Sequence, residues 1–474
     1  MTATRTSTGS AERAAPVAEA RPRIGLLGIM QALYDEMLPG ITERQAAYAQ
    51  ELADALAGEA DVVVAPPARD RDDIDRTVRE FSGLDGLLVV MLTYGPAMRV
   101  ARALADTKLP ICLVNVQPEG EVTATWDMAD LTYNQGIHGA QDTANAMVRS
   151  GRPFHVITDD WRAPSFAASV GSWARAAAAV TRWRSLRVGV FGYAMNGMGD
   201  IRVDVHTLMR ELGPEVVSLA PGDIVRAAVA DDEIAAVMAF EDGQFEIDPQ
   251  LSRTEREDHA RMQVAIERVL EANGCRAYST HFGAIAEDGR FSRLPLAAAS
   301  SLMAAGYGFG AEGDALTAAL MSAARVLLGE TQFTEMYAMD FATDSILMSH
   351  MGEGNWRLAA GPVRLIKRPL GIGGLEDPPT FLFQYATGPA TLATLVALGD
   401  RFRLVVSEGE ILEREELPKL EMPYGFFKPA SGVRECMNGW LRLGGPHHQV
   451  LNPGHTAAAW EVFGDLAGIE VARV

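Results

Sequence analysis

From Arg23 onward, short apolar runs alternate with longer amphipathic stretches: RIGLLGI before TERQAAYAQELADAL, DVVVAP before RDDIDRTVREF, DGLLVVML before AMRVARALA, and then LPICLVNV. Runs this short, rich in Val, Ile and Leu and free of polar alternation, are the pattern of strands buried on both faces of a parallel sheet. The stretches between them carry apolar residues at helical spacing. The pattern predicts a doubly wound α/β domain over residues 21–186, ending in a helix at Ser165–Arg184. A second set opens at LRVGVFGYA and continues through EVVSLA and a long helix at Thr254–Asn273. It closes with helices near Leu294–Ala305 and Ala315–Leu328, which predicts a second α/β domain over residues 187–328. Beyond Gly329 the texture changes to RLAAGPVRLIKRP, TFLFQYATG and RFRLVVSEGEIL, separated by Gly and Pro. Such alternating segments predict a β-rich, barrel-like C-terminal domain over residues 329–474. Residues 1–20 read as a disordered extension without the apolar core of a secretory signal.

Composition narrows the partners. The formal net charge of −20 over 474 residues opposes a nucleic-acid or anionic-membrane partner, because both demand clustered Lys and Arg. A small molecule is the expected partner. The three cysteines, Cys112, Cys275 and Cys436, are far apart with no CxxC pair, which fits a reducing cytoplasm. No segment is long and apolar enough to span a bilayer. The stretch FGYAMNGMGD comes nearest to a glycine fingerprint but matches neither the dinucleotide nor the phosphate-loop pattern, so a nucleotide site is not expected.

The candidate chemistry lies around the junction of the second and third domains. In GYGFGAEGDALTAAL, Glu312 stands between glycines just before a helical pattern, where Asp314 is placed to cap the helix. Glu312 is then either a second capping acid or a site acid, and the fragment alone leaves both open. Glu335 interrupts the apolar and aromatic run TQFTEMYAMDF, where a free carboxylate is expensive to bury without an Arg or a metal beside it. His350 in ILMSHMGEG reads by itself as a hydrogen-bonded core residue. The adjacent pair His447 and His448 in RLGGPHHQV points to opposite faces if the strand has begun, so that only one reaches a given site. Together, Glu312, Glu335, His350 and one of the pair supply two oxygen and two nitrogen donors. That set suits Mn²⁺, Co²⁺ or a similar divalent cation, and the lack of thiolate argues against structural zinc. No HExxH motif is present. Spacing does not by itself bring the four together.

In the order GYGFGAEGD, FTEMYAMDF, MSHM, LGIGGLEDPPTFLFQYATGPA and GGPHHQV, the chain resembles the L-arabinose isomerase family, most strongly from about Arg293 onward. The resemblance implies two α/β domains followed by a β-rich one. It implies a divalent metal, usually manganese, held by Glu312, Glu335, His350 and His448, with both glutamates catalytic. It also implies pocket positions at Gln31, Leu33, His138, Met195 and Phe282. His138, read from the sequence alone as a solvated or capping residue at a loop-to-helix junction, is implied to reach the pocket of a neighbouring subunit, which requires a homo-oligomer, a hexamer or trimer. The chain departs from the family at Ala32, where histidine is usual, at Tyr133, where leucine is usual, in its first helix, and in the expected absence of a C-terminal tail after GIEVARV.

The activity so implied is aldose–ketose isomerisation in the cytoplasm, on L-arabinose first and on D-galactose or L-fucose as further choices. The expected route passes through an enediol at the cation; a metal-assisted hydride shift is the alternative and would use the same ligands. A divalent cation offsets charge developing on the two substrate oxygens, and paired carboxylates move protons on either side. Two other classes remain open at this stage. A non-catalytic sugar-binding or sensing protein would use two α/β lobes alone, and a metal-dependent hydrolase would cleave its substrate.

Overall fold

The structure, a computed structural model, describes residues 20–474; the extension expected over residues 1–20 lies outside the described residues except for its last one. The chain forms two compact units. Among the described residues, one holds 20–182 together with Glu461–Gly468, and the other holds Trp183–Trp460 with Ile469–Val474.

In the first unit, β1 (Arg23–Ile29), β2 (Asp61–Val64), β3 (Gly86–Met91), β4 (Ile111–Asn115) and β5 (His155–Thr158) form one parallel sheet in the order β2-β1-β3-β4-β5. This is a doubly wound order, with its reversal between β1 and β3. The uninterrupted apolar runs match the central strands β1, β3 and β4, which are buried almost throughout. At the edges the expectation of burial on both faces fails: β2 and β5 leave alternate positions partly or fully exposed, because only one neighbour covers each. Helices Ile41–Ala55, Arg71–Glu80, Gly136–Arg149 and Pro164–Trp183 surround the sheet. Arg71–Glu80 starts at Asp70, whose carboxylate accepts from the Asp73 N–H.

The second unit contains a parallel α/β layer and a β-barrel. The strands β6 (Arg187–Phe191), β7 (Glu215–Leu219), β9 (Ala277–Thr280) and β10 (Gly308–Ala311) pair in the order β10-β9-β6-β7, and the short β8 (Glu246–Ile247) lies outside this sheet. Then follow β11 (Gln332–Asp340), β12 (Ser345–Ser349), β13 (Arg364–Lys367), β14 (Pro379–Leu382), β15 (Gly388–Leu398), β16 (Arg401–Leu412), β17 (Tyr424–Pro429), β18 (His448–Pro453) and β19 (Glu470–Arg473). The sheet runs β15-β18-β11-β12-β17-β16-β19, and an added β15–β16 pairing closes six of these strands into a barrel. Its core includes Met348, Leu392, Val405, Phe427 and Leu451. β8, β13 and β14 make a separate small sheet. The region is less purely β than its texture predicts, since Val433–Leu443 and Ala457–Ala467 are helices.

The helix Ala315–Leu328 joins these two layers. It is buried on nearly every face, packing on β9 and β10 on one side and on β15 and β18 on the other. Its Ala-rich sequence lets both sheets approach closely. Residues at its N-terminus therefore lie beside the barrel strands. Among the described residues no helix is long and apolar enough to cross a membrane.

Candidate active site

The site is built from the carboxyl ends of a parallel sheet and three adjacent barrel strands. Loops leaving β6, β9 and β10 all emerge at the carboxyl edge, where open α/β sheets place their ligands. Glu312 is the first residue after β10 and has φ of 60°, one of two non-glycine residues with positive φ among those described. This left-handed backbone costs a glutamate roughly 1–3 kcal/mol relative to an extended one. Gly313 follows at φ of 86°, and a Cβ there would lie 2.4 Å from the Tyr193 carbonyl oxygen. Two successive left-handed residues thus turn the chain from strand to helix in a space that only glycine fits at the second position.

Asp314 then caps the helix: its Oδ1 accepts from the Thr317 N–H at 2.9 Å. Its Oδ2 receives the His448 Nδ1–H at 2.8 Å, a second task that the capping signal did not reveal.

In the barrel, β11 lies between β12 and β18, and the register sets Glu335 opposite both Ser349 and His448. Cross-strand partners stand about 5 Å apart, so pairing alone brings this carboxylate to this imidazole. His350 follows Ser349 at the end of β12. The alternation argument for the histidine pair fails because β18 begins at His448. His447 lies in the turn before it, and both rings face the same carboxylates.

Distances define the cluster. His448 Nε2 is 3.3 Å from Glu335 Oε1 and 3.6 Å from Glu312 Oε2. His447 Nε2 is 3.6 Å and 3.7 Å from the same two oxygens. His350 Nε2 lies 3.9 Å from Glu335 Oε1. One donor atom from each of Glu312, Glu335, His447 and His448 falls within 4.8 Å of all the others, and His350 stands just outside that group. On its far side each imidazole is held by its own carboxylate. His448 Nδ1 meets Asp314, His350 Nδ1 meets Glu353 at 2.6 Å, and His447 Nδ1 meets Asp200 at 2.6 Å. A carboxylate accepts only, so Nδ1 carries the hydrogen and Nε2 turns its lone pair inward whenever the ring is neutral.

The electrostatics agree with that arrangement. Burial works against the Glu335 carboxylate, yet His448, His350 and His447 together hold its pKa down at about 2. Burial likewise opposes a charged His448, but Asp314 and Glu335 push its pKa up to about 10. The Glu335 carboxylate and the His448 imidazolium thus hold each other in their charged forms. Glu312 Oε2 and His448 Nε2 are both buried with no hydrogen-bond partner, an expensive pair of orphans that a cation between them would satisfy. Two carboxylates and imidazole nitrogens, with no thiolate, fit a divalent first-row ion.

The remaining sequence-derived positions divide between the two units. Met195, on the loop after β6, donates its backbone N–H to the Glu312 carbonyl at 2.8 Å. Phe282 opens the helix after β9, stacks on His281 at 5.2 Å and lines a cavity with Glu312, His350 and Glu353. Gln31, Leu33 and His138 belong to the first unit. Gln31 and Leu33 follow β1 at the sheet's carboxyl edge, and His138 is exposed in the first turn of Gly136–Arg149. Sequence reasoning missed Glu353, Asp200 and the second role of Asp314. Glu353 had a signal, standing three residues after His350, whereas Asp200 had none.

Comparison with known proteins follows the same division. Residues 23–185 match the L-arabinose isomerase N-terminal domain, 188–330 the central domain and 330–470 the C-terminal domain. The L-arabinose isomerase of Clostridium beijerinckii is 32% identical over 393 residues, covering 81% of this chain and 80% of that protein. That of Arthrobacter sp. (strain FB24) is 32% identical over 462 residues, covering 93% and 88%. That of Clavibacter sepedonicus is 32% identical over 465 residues, covering 94% and 90%. With three domain matches in order and relatives aligned over most of their length, the chain belongs to the L-arabinose isomerase family and is an aldose–ketose isomerase.

Proposed function

We propose that the chain converts L-arabinose into L-ribulose with the help of a divalent cation, manganese or cobalt, held by Glu312, Glu335, His350 and His448. The observation that carries this reading is the arrangement of three imidazoles, each held on Nδ1 by a carboxylate, with Nε2 turned toward two glutamates. The names of the relatives supply the sugar. The cation, when bound, supplies a Lewis acid that lowers the energy of negative charge on the substrate oxygens.

The residues of the chain do the rest. An aldose becomes a ketose when hydrogen leaves C2 and arrives at C1, and when the C2 hydroxyl gives up a proton while the C1 oxygen gains one. Glu312 and Glu335 bring carboxylate oxygens to one point from different layers of the fold, the strand-to-helix turn after β10 and the centre of β11. One carboxylate takes the C2 proton and returns it to C1 through an enediol, while the other exchanges the hydroxyl proton. Atoms and charge balance with no outside oxidant. Buried Phe333 packs edge-on against His350 and His448 at 4.8 and 4.9 Å, keeping water from the floor of the site. His138 would complete the pocket of a neighbouring chain in a hexamer or trimer, and the protein would work in the cytoplasm.

Incubation of the purified chain and Mn²⁺ with mixed aldoses, followed by mass spectrometry and separation of isomers, tests the reading. The expected product is a ketose of unchanged mass, from L-arabinose before D-galactose or L-fucose. Cleaved products, or sugar bound but unchanged, would refute it.

A further inference from the structure

The stretch FGYAMNGMGD carries no nucleotide pattern, yet in the structure it forms the loop from Gly192 onward that touches two carriers of the site at once. Near its start, the Met195 N–H donates to the Glu312 carbonyl at 2.8 Å, and the Tyr193 and Ala194 backbone packs on Gly313. At its end, Asp200 Oδ2 accepts both the backbone N–H of His447 at 3.1 Å and the ring Nδ1–H at 2.6 Å. Between these points the loop holds itself together, with Met198 N–H on the Met195 carbonyl at 3.4 Å and Arg202 on Asn196 Oδ1 at 3.1 Å.

The three clamped histidines differ in access. His448 and His350 have side chains 0% and 4% exposed and form the floor, whereas His447 is 35% exposed and stands on the open side. His447 is therefore the one of the three that a sugar entering from that side would meet. His447 Nε2, 3.6 and 3.7 Å from the two glutamate oxygens, is too far from them for a hydrogen bond and has no partner of its own among them. With Nδ1–H committed to Asp200, a neutral ring leaves the Nε2 lone pair beside the two glutamates free to accept from an incoming hydroxyl. The other tautomer would carry its hydrogen on Nε2 and leave no acceptor there for a sugar hydroxyl.

We propose that Asp200 is a positioning residue: by gripping the backbone and Nδ1–H of His447 it fixes the ring so that Nε2 accepts a sugar hydroxyl beside Glu312 and Glu335. The loop from β6 thereby sets the spacing between the proton-moving carboxylates and a substrate-orienting imidazole. Both of its anchors, the Met195 N–H and Asp200, lie on one short segment. This assignment rests on the sugar-isomerase reading and specifies a residue pair within it.

The test is a mutant cycle of Asp200→Ala, His447→Ala and the double variant, with Asp200→Asn added. Four quantities are measured: kcat and KM for L-arabinose, calorimetric binding of the unreactive polyol L-arabinitol to the manganese-loaded protein, and Mn²⁺ affinity. Asp200→Ala should weaken arabinitol binding and kcat/KM by about 10–100-fold, as loss of a ring-orienting partner does. The double variant should be no worse than His447→Ala, Asp200→Asn should recover part of the loss through its remaining acceptor, and Mn²⁺ affinity should stay within about threefold of wild type. Penalties that multiply in the double variant would overturn the proposal. So would an Asp200→Ala protein that binds arabinitol like wild type, or Mn²⁺ affinity that falls in step with sugar affinity. A wild-type protein that turns over no aldose would instead refute the isomerase reading itself.

Discussion

Replacing Asp314 separates the structural and chemical roles of one buried carboxylate. Its side chain is 1% exposed and serves two partners, the Thr317 N–H at the helix start and His448 Nδ1. Asp314→Ala removes the cap, worth about 1 kcal/mol, and a charge-assisted hydrogen bond worth about 1.5–3 kcal/mol. It also leaves a buried imidazole nitrogen unpaired, so urea unfolding of the metal-free chain should register a loss of about 3–5 kcal/mol. Asp314→Asn is different. Its amide oxygen still caps the helix, which turns the amide NH₂ toward His448 Nδ1. A donor there forces Nδ1 to become the acceptor and moves the ring hydrogen to Nε2, pointing it at Glu335 and Glu312. The Asn variant should therefore lose only about 1–2 kcal/mol of stability but about 10–100-fold in Mn²⁺ affinity. Denaturant titration and calorimetric Mn²⁺ binding on the same preparations read both effects. An Asn variant that binds Mn²⁺ as wild type does, or one whose stability falls as far as that of the Ala variant, would refute the tautomer argument.

Other expectations follow from the same geometry. Glu335→Gln keeps an oxygen donor but removes a base, so steady-state kcat should fall by at least about a hundredfold while calorimetry still detects bound Mn²⁺. Glu312→Gly relieves a left-handed glutamate and an orphaned buried oxygen, so the metal-free variant should unfold at higher urea, gaining about 1 kcal/mol, although it turns over no sugar. Mn²⁺ at a hundred times its dissociation constant should stabilise the wild-type chain by about 2.7 kcal/mol, and a chelator should reverse the gain in a thermal melt. A fourth concerns Glu255, remote from the cluster. Burial opposes its ionisation, but Lys367 at 2.7 Å and the Ser252 N–H and hydroxyl bring its pKa down to about 2. A lowered folded-state pKa means stability that is present above the ordinary carboxylate value and lost as pH falls toward about 2. Glu255→Gln should thus cost about 1–3 kcal/mol near neutrality, and urea curves should show its deficit shrinking below about pH 5.

Much of the fold was legible because buried parallel strands leave a plain signature. RIGLLGI, DGLLVVML and LPICLVNV are all central strands, whereas DVVVAP is an edge strand whose exposed alternate positions the apolar run concealed. The barrel was legible only as texture, because its closure depends on the β15–β16 pairing and on register, neither of which is written in a periodicity. The helices Val433–Leu443 and Ala457–Ala467 escaped for the same reason, lying in a region read by its alternation. At the site, the residue types of Glu312, Glu335, His350 and the histidine pair pointed to the chemistry. Their meeting depends on β11 lying between β12 and β18 and on the left-handed turn at Glu312. The ring-holding acids were the least legible. Asp314 was hidden behind an ordinary cap, and Asp200 precedes His447 by 247 positions, a contact that no local pattern encodes.

The most direct test of the central claim follows carbon-13 at C1 of L-arabinose by NMR in the presence of the purified chain and Mn²⁺. The label should move from the anomeric carbon of the aldose to the hydroxymethyl carbon of L-ribulose until equilibrium, with no other labelled product and with Glu335→Gln far slower. A label that stays on the anomeric carbon while another aldose is consumed, or that appears in a cleaved fragment, would contradict the account.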